Sequence, residues 1–95
     1  MTYDEFMTSV TNDKPSPEAS PYLEALWHDS KGDWHKAHQI VQDIHTWEES
    51  WIHAYLHRVE GDEGNAGYWY HRAGKPFSKL SLEEEWEEQV RYFAE

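Results

Sequence analysis

The feature that most constrains the fold is a Gly-Asp corner that occurs twice, at Gly32-Asp33 and at Gly61-Asp62. Glycine accepts a positive φ at the end of one helix, and aspartate caps the start of the next. Each corner therefore predicts two helices with almost no linker between them. The corners lie 29 residues apart, and Tyr22–Ile44 overlays Trp51–Ala73 at that offset without a gap. Two similar units predict two helix hairpins that share a core.

Other start signals extend this pattern to both ends of the chain. Thr2–Glu5, Thr46–Glu49 and Ser81–Glu84 have the form of capping boxes, and Ser20-Pro21 is typical of a helix start. Apolar residues recur at helical spacing throughout, which predicts an all-α fold. The predicted helices span about 3–10, 21–31, 34–44, 47–60, 63–73 and 82–94. The predicted organisation is a short helix and Pro-rich linker (1–19), two hairpins (20–76) and a C-terminal helix (77–95), with the flanking helices capping the stack.

Both corners resemble the G-D-Y-x-x-A corner of tetratricopeptide repeats. Ala54, Gly61, Ala66, Tyr70 and Ala73 fall on that consensus with its spacing, within a resemblance that covers 21–74. The resemblance implies a right-handed array of antiparallel helix pairs with a groove for a peptide or partner protein. The period of 29 residues departs from the usual 34. The chain also resembles small bacterial and fungal proteins with an HAYLHR-EGD-NA-YWY-RAG core, which implies no activity.

Composition excludes several classes of function. The formal net charge of −11 repels nucleic acid and anionic lipid, and it favours cations, basic proteins or neutral small molecules. The chain has no cysteine, so disulfides and thiolate metal sites are excluded, and a reducing cytoplasm is expected. The acidic N-terminal sequence does not resemble a signal peptide, and no apolar run predicts a membrane span. No nucleotide-binding glycine loop or serine-hydrolase elbow is present.

A group of ionisable side chains departs from the repeat pattern, because it occupies positions where such repeats have large apolar residues. Glu24 and His28 form one i,i+4 pair, and His53 and His57 form the equivalent pair in the second unit. If the first helices of the hairpins pack side by side, the four side chains converge. Three imidazoles and a carboxylate suit Zn²⁺, Fe²⁺ or Mn²⁺, with Glu60 as a fifth ligand or a base. The alternative, which the sequence favours, is structural polar packing of these histidines.

Three other sets of residues have a structural and a functional interpretation. Arg58 is expected to pair with Glu60 or Asp62 near a helix end, or else to clamp an anionic ligand. Tyr68 and His71 fall opposite the core stripe at i,i+3, where an exposed pair suits a binding hot spot, although core packing is favoured. The sequence favours solvated surface for the histidines of the second helix, His35, His38 and His45.

The sequence predicts a small cytoplasmic helical-repeat module. It binds a partner protein, a peptide or a small ligand at a pocket lined by His28, His53, His57, Arg58, Glu60 and Tyr68. One alternative is a metal-binding protein or metal-dependent enzyme that uses Glu24, His28, His53 and His57, although the residues do not favour an enzyme. Another alternative is a structural homo-oligomer that associates through its aromatic faces. Nucleic-acid and membrane partners are not expected.

Overall fold

The computed structural model describes residues 1–95 and contains six α-helices and no β-strand, which confirms the all-α prediction. The helices are α1 (Tyr3–Ser9), α2 (Pro21–Ser30), α3 (Trp34–Val41), α4 (Trp47–Val59), α5 (Glu63–Ala73) and α6 (Leu82–Phe93). Each helix has an N-cap side chain that accepts a hydrogen bond from a backbone N–H three residues further on. These caps are Thr2, Ser20, Asp33, Thr46, Asp62 and Ser81.

The two Gly-Asp corners have the same backbone geometry. Gly32 and Gly61 both have φ of +81°, a value that strains any residue with a Cβ. In each corner the aspartate N–H donates to the helix carbonyl five residues earlier, at 3.0 Å in the first corner and 2.9 Å in the second. The chain therefore reverses over a few residues, so that α2 packs against α3 and α4 packs against α5.

The helix α3 is shorter than its apolar pattern predicts. It ends at Val41, whereas the sequence predicts a helix through Ile44. The Ile44 N–H donates to Val41 O at 3.0 Å, which is a tight turn rather than a continued α-helix. This turn allows the chain to reach Thr46, which caps α4.

The first and last helices pack on the same body as the hairpins. Phe6 of α1 is fully buried, and its ring lies 5.9 Å from the ring of Trp86 on α6. The indole N–H groups of Trp27 and Trp86 donate to Ser9 O at 2.9 Å and to Leu26 O at 3.0 Å. These bonds fix both flanking helices to α2. None of the six helices has the length and apolar character that crossing a membrane requires.

The arrangement of α3 against α4 positions the histidines. The indole N–H of Trp34, at the start of α3, donates to Leu56 O of α4 at 2.7 Å. Ala37 and Val41 of α3 are fully buried in the core that α4 shares. His38 follows Ala37 directly, so it lies on α3 beside the face of α4 that carries His53 and His57.

Candidate metal centre

Three histidines from two helices meet at the junction of α3 and α4. His38 comes from α3, and His53 and His57 are one helical turn apart on α4. One ring nitrogen from each of the three lies within 4.8 Å of the other two. The Nε2 atoms of His38 and His53 are 2.8 Å apart. His53 and His57 are buried and His38 is half-buried, so the group lies at the edge of the protein interior.

Two carboxylates, one on α4 and one at its C-cap, hold the two buried imidazoles through Nδ1. Glu49 Oε1 lies 2.6 Å from His53 Nδ1, and Glu60 Oε1 lies 2.6 Å from His57 Nδ1. Because an ionised carboxylate only accepts hydrogen bonds, both Nδ1 atoms carry the proton. In the neutral ring, Nε2 is then the nitrogen with a free lone pair. This orientation by a carboxylate is the usual arrangement of a metal-ligating histidine.

The Nε2 atoms of His38 and His53 can form a hydrogen bond only if one of them carries a proton and the other does not. Because Nδ1 of His53 donates to Glu49, Nε2 of neutral His53 accepts, and Nε2 of His38 must donate. The ring of His38 makes no other hydrogen bond, and His57 makes none through Nε2. Moving the His38 proton to Nδ1 would leave three Nε2 lone pairs in the group.

Tryptophan rings enclose the histidines. Trp69 of α5 stacks on His53 with ring centroids 3.8 Å apart and planes at 5°. Trp34 stacks on His38 with centroids 4.9 Å apart and planes at 15°. His53 also lies parallel to His57 at 5.0 Å. These flat contacts fix the orientation of the rings and exclude water from their faces.

The surroundings keep His38 neutral near neutral pH. Burial lowers the pKa of His38, and the neighbouring His53 and His57 lower it further, while Glu60 and Glu49 oppose them. Burial disfavours the charged imidazolium, as does a second positive charge nearby. The neutral imidazole is the form that binds metals.

The structure does not bring Glu24 and His28 into this group. They form their own i,i+4 pair on α2, with His28 Nε2 3.9 Å from Glu24 Oε1. The ring of His28 packs edge-on against Trp27, away from His53 and His57. The expected convergence fails because the short corner places α3 beside this face of α4. His38 of α3 therefore occupies the place that the sequence assigned to the residues of α2.

The other predicted site residues have structural contacts. Arg58 pairs with neither Glu60 nor Asp62, because its two guanidinium nitrogens donate to Glu85 Oε1 at 2.6 Å and Leu80 O at 2.7 Å. Asp62 caps α5 as the sequence predicts. Tyr68 is 53% exposed, contrary to the favoured core packing, and it accepts a hydrogen bond from Arg72.

Of the predicted pocket residues, His28 borders a cavity of about 400 Å³ together with Trp27 and Lys31. The largest cavity contains no histidine in its lining, whereas His38 borders a polar surface depression. His35 shares that depression, and His45 and His71 are exposed. Solvated surface is therefore a correct description of His35 and His45, but not of His38.

Sequence reasoning missed His38 and Glu49 as members of the group. Glu49 had a readable signal, since Glu49, His53, His57 and Glu60 follow one another at steps of four, four and three residues on one helix. His38 had no such signal, because its distance from α4 depends on how the two hairpins pack.

Comparisons of the chain with models of protein families, with curated proteins and with solved structures find no match. The resemblance to tetratricopeptide repeats stays a prediction.

Proposed function

We propose that this protein binds a divalent metal ion, Zn²⁺, through Nε2 of His38, His53 and His57. The observation that supports the proposal most directly is the pairing of both α4 histidines with carboxylates at Nδ1. A purely structural histidine needs one partner to satisfy it. Here two imidazoles are each oriented by a carboxylate, and the second nitrogen of His53 lies 2.8 Å from Nε2 of His38.

The group is close to the geometry of a zinc site with three histidine ligands. Zn–N bonds of about 2.0–2.1 Å at a tetrahedral angle place the ligand nitrogens roughly 3.3 Å apart. The His38 and His53 nitrogens lie at 2.8 Å, so they need to separate by roughly 0.5 Å. His38 is half-buried, and a rotation of its ring supplies such a change.

The donor set favours zinc over manganese. Three neutral imidazoles without an oxygen donor suit Zn²⁺, whereas Mn²⁺ prefers carboxylate and water ligands. The charges also balance, because Glu49 and Glu60 would offset the two positive charges of the ion. Glu49 is only 2% exposed, so this neutralisation removes part of the cost of burying its carboxylate. A fourth ligand position remains for water or a partner's side chain.

The proposal is tested with protein purified without a His-tag. Titration calorimetry with ZnCl₂ should give one ion per chain, and His38→Gln should lower the affinity at least about tenfold. Since only the folded chain presents the three nitrogens together, Zn²⁺ at about 100 times Kd should stabilise the fold by about 2.7 kcal/mol. For a domain of this size that corresponds to a rise in Tm of roughly 10–20 °C.

His28→Gln is the matched control, because His28 also has a carboxylate neighbour on its helix but lies outside the group. It should leave zinc affinity unchanged. Glu49→Gln should lower the affinity about 10–100-fold without removing a ligand. Equal affinities of His38→Gln and the unchanged chain would contradict the proposal, as would absence of stoichiometric zinc binding in the unchanged chain.

A further inference from the structure

The largest cavity lies on another part of the molecule and shares no residue with the histidine group. It has a volume of about 650 Å³ and is lined by residues of α1, α2, α4 and α6. This volume lies in the range of about 300–1,000 Å³ that small-molecule sites occupy. Its apolar lining consists of Tyr3, Met7, Tyr55, Val59, Leu82 and Trp86. The side chain of Leu82 is 37% exposed, so part of this apolar surface faces solvent.

All the charged groups in the lining of this groove are negative. They are Asp29, Glu83, Glu84 and Glu87, and no lysine or arginine lines the groove. Glu84 accepts a hydrogen bond from the N–H of the cap residue Ser81, and Glu87 accepts one from Tyr3 and pairs with Arg91 at 3.4 Å. Glu83 makes no hydrogen bond or ion pair, although its charge also favours the N-terminus of α6. An apolar floor with a negative rim is complementary to a molecule that has an apolar body and a positive end.

Asp29 is the least exposed carboxylate in the lining of the groove. It is half-buried, and its one hydrogen bond comes from the Tyr55 hydroxyl, which donates to Oδ2 at 2.7 Å. No cationic side chain forms an ion pair with it. Burial raises the pKa of Asp29, although the Tyr55 hydrogen bond opposes that rise. A partly buried carboxylate without a cation is a place where a bound cation gains a strong charge-assisted contact.

We propose that the groove binds a small organic ammonium ion with an apolar body. The ammonium group binds at Asp29 within the acidic rim, and the apolar body packs on Trp86 and Met7. No three of these carboxylates bring ligand oxygens within 4.8 Å of one another, which favours an organic cation over a metal ion as the occupant.

The probe is 2-phenylethylammonium chloride, with the neutral 2-phenylethanol as its isosteric comparison. Both are titrated into the ¹⁵N-labelled chain and followed by amide chemical shifts. The ammonium should bind at least about tenfold more tightly than the alcohol, with shifts concentrated at the groove, and added salt should reduce this difference. Equal affinity for the two compounds would contradict the proposal, because it would show apolar binding alone.

Variants separate a specific contact with Asp29 from general attraction to an acidic protein. Asp29→Asn keeps the shape and the acceptor for Tyr55, and it should abolish the preference for the ammonium. Glu83→Gln should weaken the preference for the ammonium less than Asp29→Asn does, because Glu83 is exposed on the rim. Glu63→Gln is the matched control, since Glu63 is also an exposed first-turn glutamate but lies outside the groove. It should have no more than a small effect.

Three outcomes would overturn the proposal. The first is an unchanged preference in Asp29→Asn, and the second is an equal loss in Glu63→Gln. The third is binding of a lysine-containing peptide without binding of the small ammonium, which would identify a protein-docking surface. His38→Gln should bind the ammonium like the unchanged chain, so failure here is distinguishable from failure of the zinc proposal.

Discussion

A buried carboxylate in this protein is stabilised by the particular donors that surround it. Glu49 has a buried imidazole at 2.6 Å, and Glu85 has a guanidinium, a phenol and an indole. Asp29 has a single hydroxyl. Hydrogen bonds and ion pairs therefore offset much of the hydration free energy that ionised Glu49 and Glu85 lose on burial. Ionised Asp29 has no comparable compensation.

The direction of the pKa shift of Asp29 determines whether its ionisation raises or lowers the free energy of unfolding. A carboxyl group with a raised pKa in the folded state contributes stability below its unfolded pKa of about 3.9, and it loses that contribution as pH rises through the folded pKa. At neutral pH the ionised form therefore lowers the free energy of unfolding. Asp29→Asn should raise Tm at pH 7, and the difference should shrink toward about pH 4.

Thermal denaturation by circular dichroism at several pH values measures this difference. Tyr55→Phe is the companion variant, because it removes the one donor to Asp29 and should cost about 1–3 kcal/mol at pH 7. A lower Tm for Asp29→Asn at pH 7 would contradict the expectation. A gain that does not change with pH would show that its cause is not the charge.

Single residues were the least predictable level of the structure. Tyr70, which the repeat consensus includes, is 2% exposed, and its position follows from the apolar period of α5. His38 and Arg58 were assigned other surroundings, because their partners lie on other helices. Local periodicity determines the helix face on which a side chain lies, and tertiary packing determines which residues that side chain contacts.

At the scale of elements, α6 is anchored by a buried polar network rather than by apolar contacts alone. Glu85 is fully buried, and its carboxylate accepts hydrogen bonds from Tyr70 at 2.6 Å, Arg58 at 2.6 Å and Trp51 at 3.2 Å. Burial and the Glu85 carboxylate raise the pKa of Tyr70, so its hydroxyl keeps its proton as a donor. The network connects α6 to both helices of the second hairpin.

Arg58→Met tests this network. The variant leaves the Glu85 carboxylate buried without its cation, and it should lower the free energy of unfolding by about 3–5 kcal/mol in urea denaturation. Adding Glu85→Gln to Arg58→Met should recover much of that loss, because the amide still accepts from Tyr70.

Arg91→Gln is the control for this comparison, because the Arg91–Glu87 pair is exposed and its atoms are 3.4 Å apart. It should cost no more than about 1 kcal/mol. A loss in Arg58→Met as small as that in Arg91→Gln would show that the buried pair does not anchor α6.

The helices were predictable because residues close in sequence determine where each helix begins. The N-cap side chains lie within one turn of the backbone groups they bond, so no tertiary contact is needed to identify them. The end of α3 was not predictable from the sequence. Ile44 continues the apolar period of the helix, although the backbone forms a turn after Val41. An apolar side chain can face the core from a turn as well as from a helix.

At the scale of the whole molecule, the flanking helices close the core of the hairpins. The radius of gyration of 12.3 Å is close to the value of about 12.4 Å expected for a single domain of this length. The larger apolar cluster includes Phe6 of α1 and Val90 of α6 together with residues of α2, α3 and α4. Loss of either flanking helix would therefore expose the centre of the core.

Phe6→Ala should destabilise the entire chain and not only α1. Removing a fully buried aromatic ring costs about 3–5 kcal/mol, and unfolding in urea should remain one transition. Tryptophan fluorescence and far-ultraviolet circular dichroism should report the same midpoint. Leu80→Ala, at an exposed position, should cost less than about 1 kcal/mol. Separate midpoints for the two signals would show that α1 unfolds independently of the hairpins.

The tryptophans stacked on the histidines give the protein an internal optical reporter. Protonated imidazolium quenches the fluorescence of an adjacent indole, and a Zn²⁺ ion bound at the imidazole would keep that ring unprotonated. Trp34 and Trp69 lie on His38 and His53, whereas Trp86 lies against Phe6. If both sites bind as proposed, we expect emission from the first two to respond to occupancy and protonation of the histidine group, and emission from Trp86 to respond to binding in the groove. Single tryptophan-to-phenylalanine variants would read out the two sites independently without an attached dye.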